Sequence, residues 1–281
     1  MSELPEVETA RRGLNGRFAR DRLGDLEIVR PGLLQNLREE QLREKTIGQM
    51  LQSVGRRAKY LIFYLANGYV FLIHLGMEGR FLVDREMVLN LQAVFHFEDR
   101  GKIHLDDIYN HSRLYLARSE AVEELPIIAK LGVEPLTEGY TFERFSALLA
   151  SRQEIKRLLL DQTKIAGLGN IYANEILYLC GIHPERAANS LTAEAARCLF
   201  QEIPKLLERA IAAGGSSTYL YRHIDGSQGR FQEEHRVYQR AGRPCERCTT
   251  KIEEIDQGGR PSYFCPVCQP SDRMRMDPLF P

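Results

Sequence analysis

The chain carries no net charge: 38 Lys and Arg stand against 38 Asp and Glu. This balance excludes a uniformly basic nucleic-acid coat. It leaves room for a local basic cleft, because binding follows the local field and not the total. No apolar run reaches membrane-spanning length. The longest candidate, YLIFYLANGYVFLIHLGM (Tyr60 to Met77), is broken at Asn67-Gly68. Asn-Gly is the strongest two-residue turn signal, so the stretch reads as a buried β-hairpin. The opening MSELPEVET lacks the positive n-region and apolar h-region of a secretory signal. No internal repeat is apparent. A soluble, intracellular protein with no membrane partner is expected.

Cysteine is sparse, and its placement is informative. Of six cysteines, four form C-x2-C-x16-C-x2-C: Cys245, Cys248, Cys265 and Cys268. Each C-x2-C pair suits one tight knuckle, and four converging thiolates suit one structural Zn2+ with no open coordination position. In a reducing compartment the competing disulfide reading is poor. Cys180 and Cys198 lie in apolar helical stretches, LYLCGI and AARCLF. They read as buried, inert thiols.

Hydrophobic residues make up 43% and charged residues 27% of 281 positions, enough for packed cores and about two domains. Apolar and β-branched runs at Leu26–Val29, Tyr60–Leu65, Tyr69–Leu75, Val94–Phe97 and Leu114–Leu116 predict a strand-rich first third, a sandwich or barrel. The segment LGVEPLTEGYTFERF marks a boundary, so the first domain is placed at residues 1–130. Helical spacing then dominates to about residue 213, with two helices flanking DQTKIAGLGN in a helix–turn–helix-like unit. A polar stretch from Gly214 to Gly242 reads as a functional loop or partly ordered connector. The second domain is placed at 131–240, and the four-cysteine module with its tail at 241–281.

Several residues fit a phosphate-binding surface. In GRRAKYL, strand alternation puts Arg57 and Lys59 on one side, suited to phosphates or an active site. Between the cysteine pairs, Gly258-Gly259 make a hairpin tip that offers Arg260 to a partner. Gly167 and Gly169 precede Asn170 at a helix start, a natural phosphate site and equally an ordinary N-cap. Met77, between two glycines, is either core or an apolar wedge between bases. At the start, Pro5 and the acidic Glu3, Glu6 and Glu8 suit the first turn of a helix.

Taken together and in order, ELPEVETARRGL, GRRAKYL, HLGMEGRF, LGVEPL, DQTKIAGLGNIYANEIL, AGRPCERC and QGGRPSYFCPVCQ resemble the formamidopyrimidine-DNA glycosylase / endonuclease VIII family over essentially the whole chain. The resemblance implies an α+β fold: an N-terminal β-sandwich with an opening helix, a helix–two-turn–helix domain and a zinc finger. It implies a monomeric base-excision enzyme of the bacterial cytoplasm and nucleoid, acting on damaged double-stranded DNA held in a cleft, with the lesion flipped out of the stack. By resemblance the residue after Met1 supplies the amine that attacks the sugar. Glu3 matches the acid/base carboxylate, Glu6 the second acidic residue, and Lys59, Asn170 and Arg260 the phosphate-holding residues. Base excision and AP lyase activity through a Schiff base are expected. The loop SSTYLYRHIDGS is where lesion selectivity is expected.

Two positions depart from the pattern. The usual N-terminal proline is Ser2, whose primary α-amine, at a pKa of about 7.7–8.0, is partly neutral near pH 7. The usual D-x-R-x-F-G becomes Asp107, Tyr109, His111 and Ser112, removing the cationic contact to the orphaned base and leaving Tyr109 and His111 to stack beside Met77. The alternatives are a lesion-sensing binder on the same scaffold and a glycosylase without lyase activity in which Glu3 activates water.

Overall fold

The computed structural model describes residues 2–271; Met1 and the tail from residue 272 lie outside the described residues. The chain divides into two compact units, residues 1–130 with 210–232, and residues 131–209 with 233–281. Residues 210–232 pack with the first unit. The four-cysteine module packs with the helices of the second unit.

The first unit opens with α1 (Leu4–Phe18), then β1 (Leu23–Ile28), α2 (Glu39–Thr46), β2 (Leu51–Arg57), β3 (Tyr60–Leu65), β4 (Tyr69–His74), β5 (Arg80–Leu82), β6 (Leu91–Phe97), β7 (Gly101–Asp106), β8 (Arg113–Arg118) and the short α3 (Pro126–Ala129). The strands form two antiparallel four-stranded sheets, ordered β2-β3-β4-β8 and β1-β6-β7-β5. Alternating side chains from both fill one core. Phe63 and Phe71 of the first sheet stack at 4.5 Å, and Phe71 lies 5.6 Å from Phe95 of the second. Val7, Ala10, Leu14 and Phe18 recur at helical spacing, which puts one stripe of α1 into the same core. Full burial of each large apolar side chain stabilises by about 1.5–3 kcal/mol. The Asn67-Gly68 turn joins β3 to β4 as the sequence predicts, with Gly68 at φ +77°.

In the second unit α4 (Phe142–Leu148) and α5 (Ile155–Leu160) precede α6 (Asn170–Leu179) and α7 (Ala193–Ala212). The hairpin β9 (Glu253–Asp256) and β10 (Pro261–Phe264) follows. The turn between α5 and α6 buries Ile165, Ala166 and Leu168, and α6 is buried almost all round. That explains the apolar content of IYANEILYL on every face. No described helix is long and apolar enough to cross a membrane.

The reading of Cys180 and Cys198 as inert thiols is wrong. Cys180 caps α6 and Cys198 lies in the second turn of α7. Their Cα atoms are 5.8 Å apart, and the sulfurs are joined in a disulfide. Both are half-buried, so neither sits in the closed apolar environment the flanking residues suggest.

Candidate active site and nucleic-acid interface

In the first unit the site is built on the N-terminus of α1. Ser2, Glu3 and Glu6 are all buried polar residues. The Ser2 backbone N–H donates to the Met77 carbonyl at 3.1 Å, and its Oγ donates to the Gly79 carbonyl at 3.3 Å. The Glu3 N–H donates to Glu6 Oε2 at 3.0 Å, and the Ser216 N–H donates to Glu6 Oε1 at 2.8 Å. One carboxylate thus joins the chain start to a loop 210 positions away. Tyr221 Oη donates to the Glu6 main-chain carbonyl at 3.1 Å. Burial and the Glu6 charge push the Tyr221 phenol well above its ordinary value, keeping it a donor. Gly215 has φ +78°, and a Cβ there would meet Glu6 Oε1 at 2.8 Å, so the approach requires glycine.

The 214–232 segment is therefore a hydrogen-bonded loop. The Val83 N–H donates to Ile224 O at 2.8 Å, and Arg80 bonds the Leu220 carbonyl while pairing with Asp106 at 2.9 Å. Within it Tyr219 stays exposed.

Met77 rides on the turn between β4 and β5 and is 44% exposed, so it is a surface residue and not part of the core. Gly76 backs directly onto His111: a Cβ on Gly76 would lie 2.5 Å from His111 Cβ. The rings of His111 and Tyr109 stack at 5.9 Å, and Tyr109 is 54% exposed. Their loop is fixed from below by the buried Asp107, whose carboxylate accepts from Ser112 N at 2.6 Å, Ser112 Oγ at 2.8 Å and Tyr109 N at 3.1 Å. Met77, Tyr109 and His111 are thus brought together on one surface.

Lys59 corrects one detail. It does not alternate along a strand with Arg57; it occupies the tight turn between β2 and β3, beside Ala58 at φ +50°. Arg57 ends β2. Arg56, next to it, is structural: with Arg11 and Arg12 it surrounds Glu8. Burial pushes that carboxyl up, but the guanidiniums outweigh it and hold it at about 2. His74, which the sequence reading missed, lies 4.8 Å ring to ring from Tyr60. Burial, then the Lys59 and Arg113 charges, pull its pKa down to about 4. Its Nδ1 accepts the Gly76 N–H at 3.1 Å, which fixes a neutral imidazole beside the lysine.

In the second unit the N-cap of α6 is Gly169, and Asn170 is its first helical residue, not the cap. Asn170 Nδ2 donates to the Pro261 carbonyl at 3.0 Å. The buried Lys156, also missed from the sequence, donates to that carbonyl at 2.8 Å and to Ser262 Oγ at 2.6 Å. Ser262 in turn donates to Gln257 Oε1 at 2.7 Å. Asn170 and Lys156 therefore clamp the residue after Arg260. Arg260 itself is exposed at the hairpin tip, where Gly258 and Gly259 take φ +67° and +78° and the Gln257 N–H donates to the Arg260 carbonyl at 3.0 Å.

The four cysteine sulfurs lie within 4.8 Å of one another. Backbone N–H groups of Arg247 and Cys268 donate to Cys245 and Cys265 sulfurs at 3.4 Å each, as thiolates on knuckles require. A set of four such donors fits one structural zinc. Glu175, fully buried on α6, accepts from the N–H groups of Arg236, Val237 and Tyr238, anchoring the strand of chain that enters the module. The second cluster of possible ligands, Asp25, Glu27 and His96, lies on the sheet surface, with Asp25 already paired to Arg43 at 2.7 Å.

Three family models match in the same order as the architecture. Residues 1–114 match the formamidopyrimidine-DNA glycosylase N-terminal domain, 131–221 its H2TH domain, and 242–270 the zinc finger found in FPG and IleRS. Among the relatives, the formamidopyrimidine-DNA glycosylase of Desulfitobacterium hafniense is 41% identical over 273 residues, covering 96% of this chain and all of the relative. That of Gluconobacter oxydans is 41% identical over 277 residues, with 96% and 100% covered. The Lactococcus lactis Fpg in complex with DNA containing an abasic site superposes with a TM-score of 0.90 at 35% identity, covering 96% of this chain and 100% of that one. The MutM (FPG) protein of Thermus thermophilus superposes with 0.88 at 37% identity, over 95% and 98%.

Proposed function

The chain belongs to the formamidopyrimidine-DNA glycosylase family, a base-excision DNA glycosylase with AP lyase chemistry and one structural zinc, and from that premise we propose that its nucleophile is the α-amine of Ser2. Met1, which lies outside the described residues, is removed to free it. The observation that carries the reading is the burial of Ser2 and Glu3 together at the start of α1, with Ser2 held by the Met77 and Gly79 carbonyls. A buried carboxylate directly after the amine is placed to shuttle the protons the reaction needs.

The amine lone pair bonds to C1′ of a flipped nucleotide while the C1′–N glycosidic bond breaks, and that bond's electrons leave with the base, which takes up a proton. The adduct nitrogen gives up a proton. The C1′–O4′ bond then opens as O4′ is protonated from Glu3, leaving a protonated Schiff base. That cation acidifies C2′–H, and loss of this proton expels the 3′-phosphate. A second elimination releases the 5′-phosphate. Ser2 changes one step. An iminium on a primary amine can lose its N–H proton to a neutral imine, whereas one on proline cannot. The electron sink in this protein is therefore pH-dependent.

The remaining roles follow the site. Lys59, Asn170 and Arg260, with Arg57 beside Lys59, hold phosphates around the lesion, the last two steadied by the Pro261 clamp. Met77 fills the gap left in the stack, and Tyr109 and His111 stack on the unpaired partner base. The loop from Ser216 to Ser227, bonded to Glu6, closes over the base and reads it. The substrate is damaged duplex DNA of a bacterial cytoplasm, met at the nucleoid by a monomer.

Borohydride trapping on DNA with an oxidised base or an abasic site tests the proposal, after mass spectrometry has established Met1 removal. The expected result is a covalent adduct that disappears when the N-terminus is blocked. Base release without an adduct assigns the step to water activated by Glu3. Retained Met1, or tight binding with neither adduct nor base release, overturns the proposal.

A further inference from the structure

The sandwich has a cavity of about 580 Å3 at the outer face of the β1-β6-β7-β5 sheet. Register places Glu27, Val94 and His104 in one cross-strand row and pairs His96 with Lys102 in the next. Their neighbours along the strands, Leu26, Phe95, Ile103 and Leu105, fill the core, so this row faces outward.

Around it stand four permanent cations: Arg17, Arg85, Arg100 and Lys102. None of them makes a salt bridge among the described residues. The lining carboxylate, Glu27, is bound to His96 at 2.8 Å. Arg100 Nη1 donates to the Arg17 carbonyl at 2.9 Å, which holds two guanidinium-bearing segments side by side. In a chain without net charge, this concentration of uncompensated cations in one concavity is a local exception. It raises the local concentration of anions. Burial lowers the His104 pKa against the opposing bond to the Leu82 carbonyl, and the Arg85 and Lys102 charges add to it. Val83, Leu91 and Val94 add an apolar strip beside the cations.

We propose that this cavity binds a small phosphorylated molecule of the nucleoside-polyphosphate class, with its phosphates on Arg85, Arg100 and Lys102 and its ring on the Val83–Val94 strip. The volume lies within the range of about 300–1,000 Å3 typical of small-ligand pockets, whereas a duplex needs an extended track of phosphates. The site is separate from the excision chemistry. Arg17 lies in the last turn of α1 and Ser2 precedes its first, which at 1.5 Å per residue puts about 20 Å of helix between them.

Calorimetric titration of the zinc-loaded full chain with ATP tests this, with tripolyphosphate and an undamaged duplex as parallel arms. Saturable one-to-one binding of ATP with a dissociation constant below about 1 mM is expected, at least about tenfold weaker in an Arg85→Glu, Lys102→Glu double variant, with excision activity unchanged. Both side chains are exposed, so the variant retains its core. On the unaltered protein, NMR titration is expected to show His104 protonating at higher pH when ATP is bound. No saturation, unchanged affinity in the double variant, or displacement of ATP by the duplex overturns the proposal. Tripolyphosphate binding as tightly as ATP removes the nucleoside from it.

Discussion

His74 makes the first unit acid-sensitive in a way that can be calculated. Its pKa falls from 6.5 to about 4 on folding because the ring is buried beside Lys59 and Arg113. The folded state binds fewer protons than the unfolded state between those values. This contribution is therefore fully present above pH 6.5 and is lost as pH falls toward 4. A shift of about 2.5 units is worth about 3 kcal/mol in full, of which about 2 kcal/mol is lost by pH 5. His235, in the second unit, is lowered to about 4 by burial and Arg240, so the whole chain shows a similar trend. Replacing one histidine separates the two.

The discriminating variant is His74→Asn, whose Oδ1 can accept the Gly76 N–H that Nδ1 accepts now. Urea denaturation at pH 7.5 and pH 5 gives the two free energies for each protein. The His74→Asn variant is expected to lose about 2 kcal/mol less between those pH values than the parent does. NMR of the His74 ring should place its titration well below 6. A ring titrating near 6.5, or an equal acid loss in both proteins, would falsify the placement of a neutral imidazole beside Lys59. The corollary for the proposed function is that His74 adds no charge beside Lys59, the residue proposed to hold a phosphate.

Three further outcomes are expected. Gly215→Ala, forced at φ +78° against Glu6, should cost about 1–3 kcal/mol and lower excision, read by denaturation midpoint and single-turnover assay; an unchanged midpoint rejects the Glu6–loop contact. Thiol titration of the denatured, zinc-free, unreduced chain should find four thiols, rising to six on reduction. Reduction should lower stability by about 3 kcal/mol for a bridge spanning 18 residues, and six thiols without reductant would remove the Cys180–Cys198 bond. Strong chelation should release one zinc per chain and abolish lesion binding, because the hairpin carrying Arg260 is held by that module; binding that survives zinc loss rejects this role.

The parts of this protein that could be read from sequence are those whose physics is local. Asn67-Gly68 announces its hairpin, four cysteines at knuckle spacing announce their metal, and a stripe at Val7, Ala10, Leu14 and Phe18 announces a helix face. β2, β5 and β7 are hard to see in sequence because their patterns are diluted: LQSVGRR buries only Leu51 and Val54, and RFL is three residues long. Contacts between distant positions are out of reach. Glu6 with Ser216, Lys156 with Ser262, and the Cys180–Cys198 bridge have no signature within any window of sequence. His74 reads as the end of an apolar strand; only the turn that delivers Lys59 beside it gives it a role.

The two departures from the family pattern, Ser2 and the Tyr109–Ser112 segment, look independent in sequence, separated by more than a hundred positions. In the fold they share a support. The Ser2 N–H and Oγ are bonded to the Met77 and Gly79 carbonyls, and the same turn presses Gly76 against His111. Ser112, where the pattern has glycine, gives its one hydroxyl proton to Asp107 at 2.8 Å, and its Oγ lies 3.3 Å from the Leu75 carbonyl, packed against the far end of that turn. Proline at position 2 has no hydroxyl for Gly79, and glycine at 112 has no side chain to pack against the turn. The fit between turn and serine is close, since a Cβ on Gly79 would meet Ser112 Oγ at 2.5 Å. Ser2, through its hydrogen bonds, and Ser112, through close packing, therefore meet the turn of residues 75–79 from two sides. On the proposed roles, a change at the nucleophile and a change at the stacking residues both fall on the support of one turn, the turn that carries Met77.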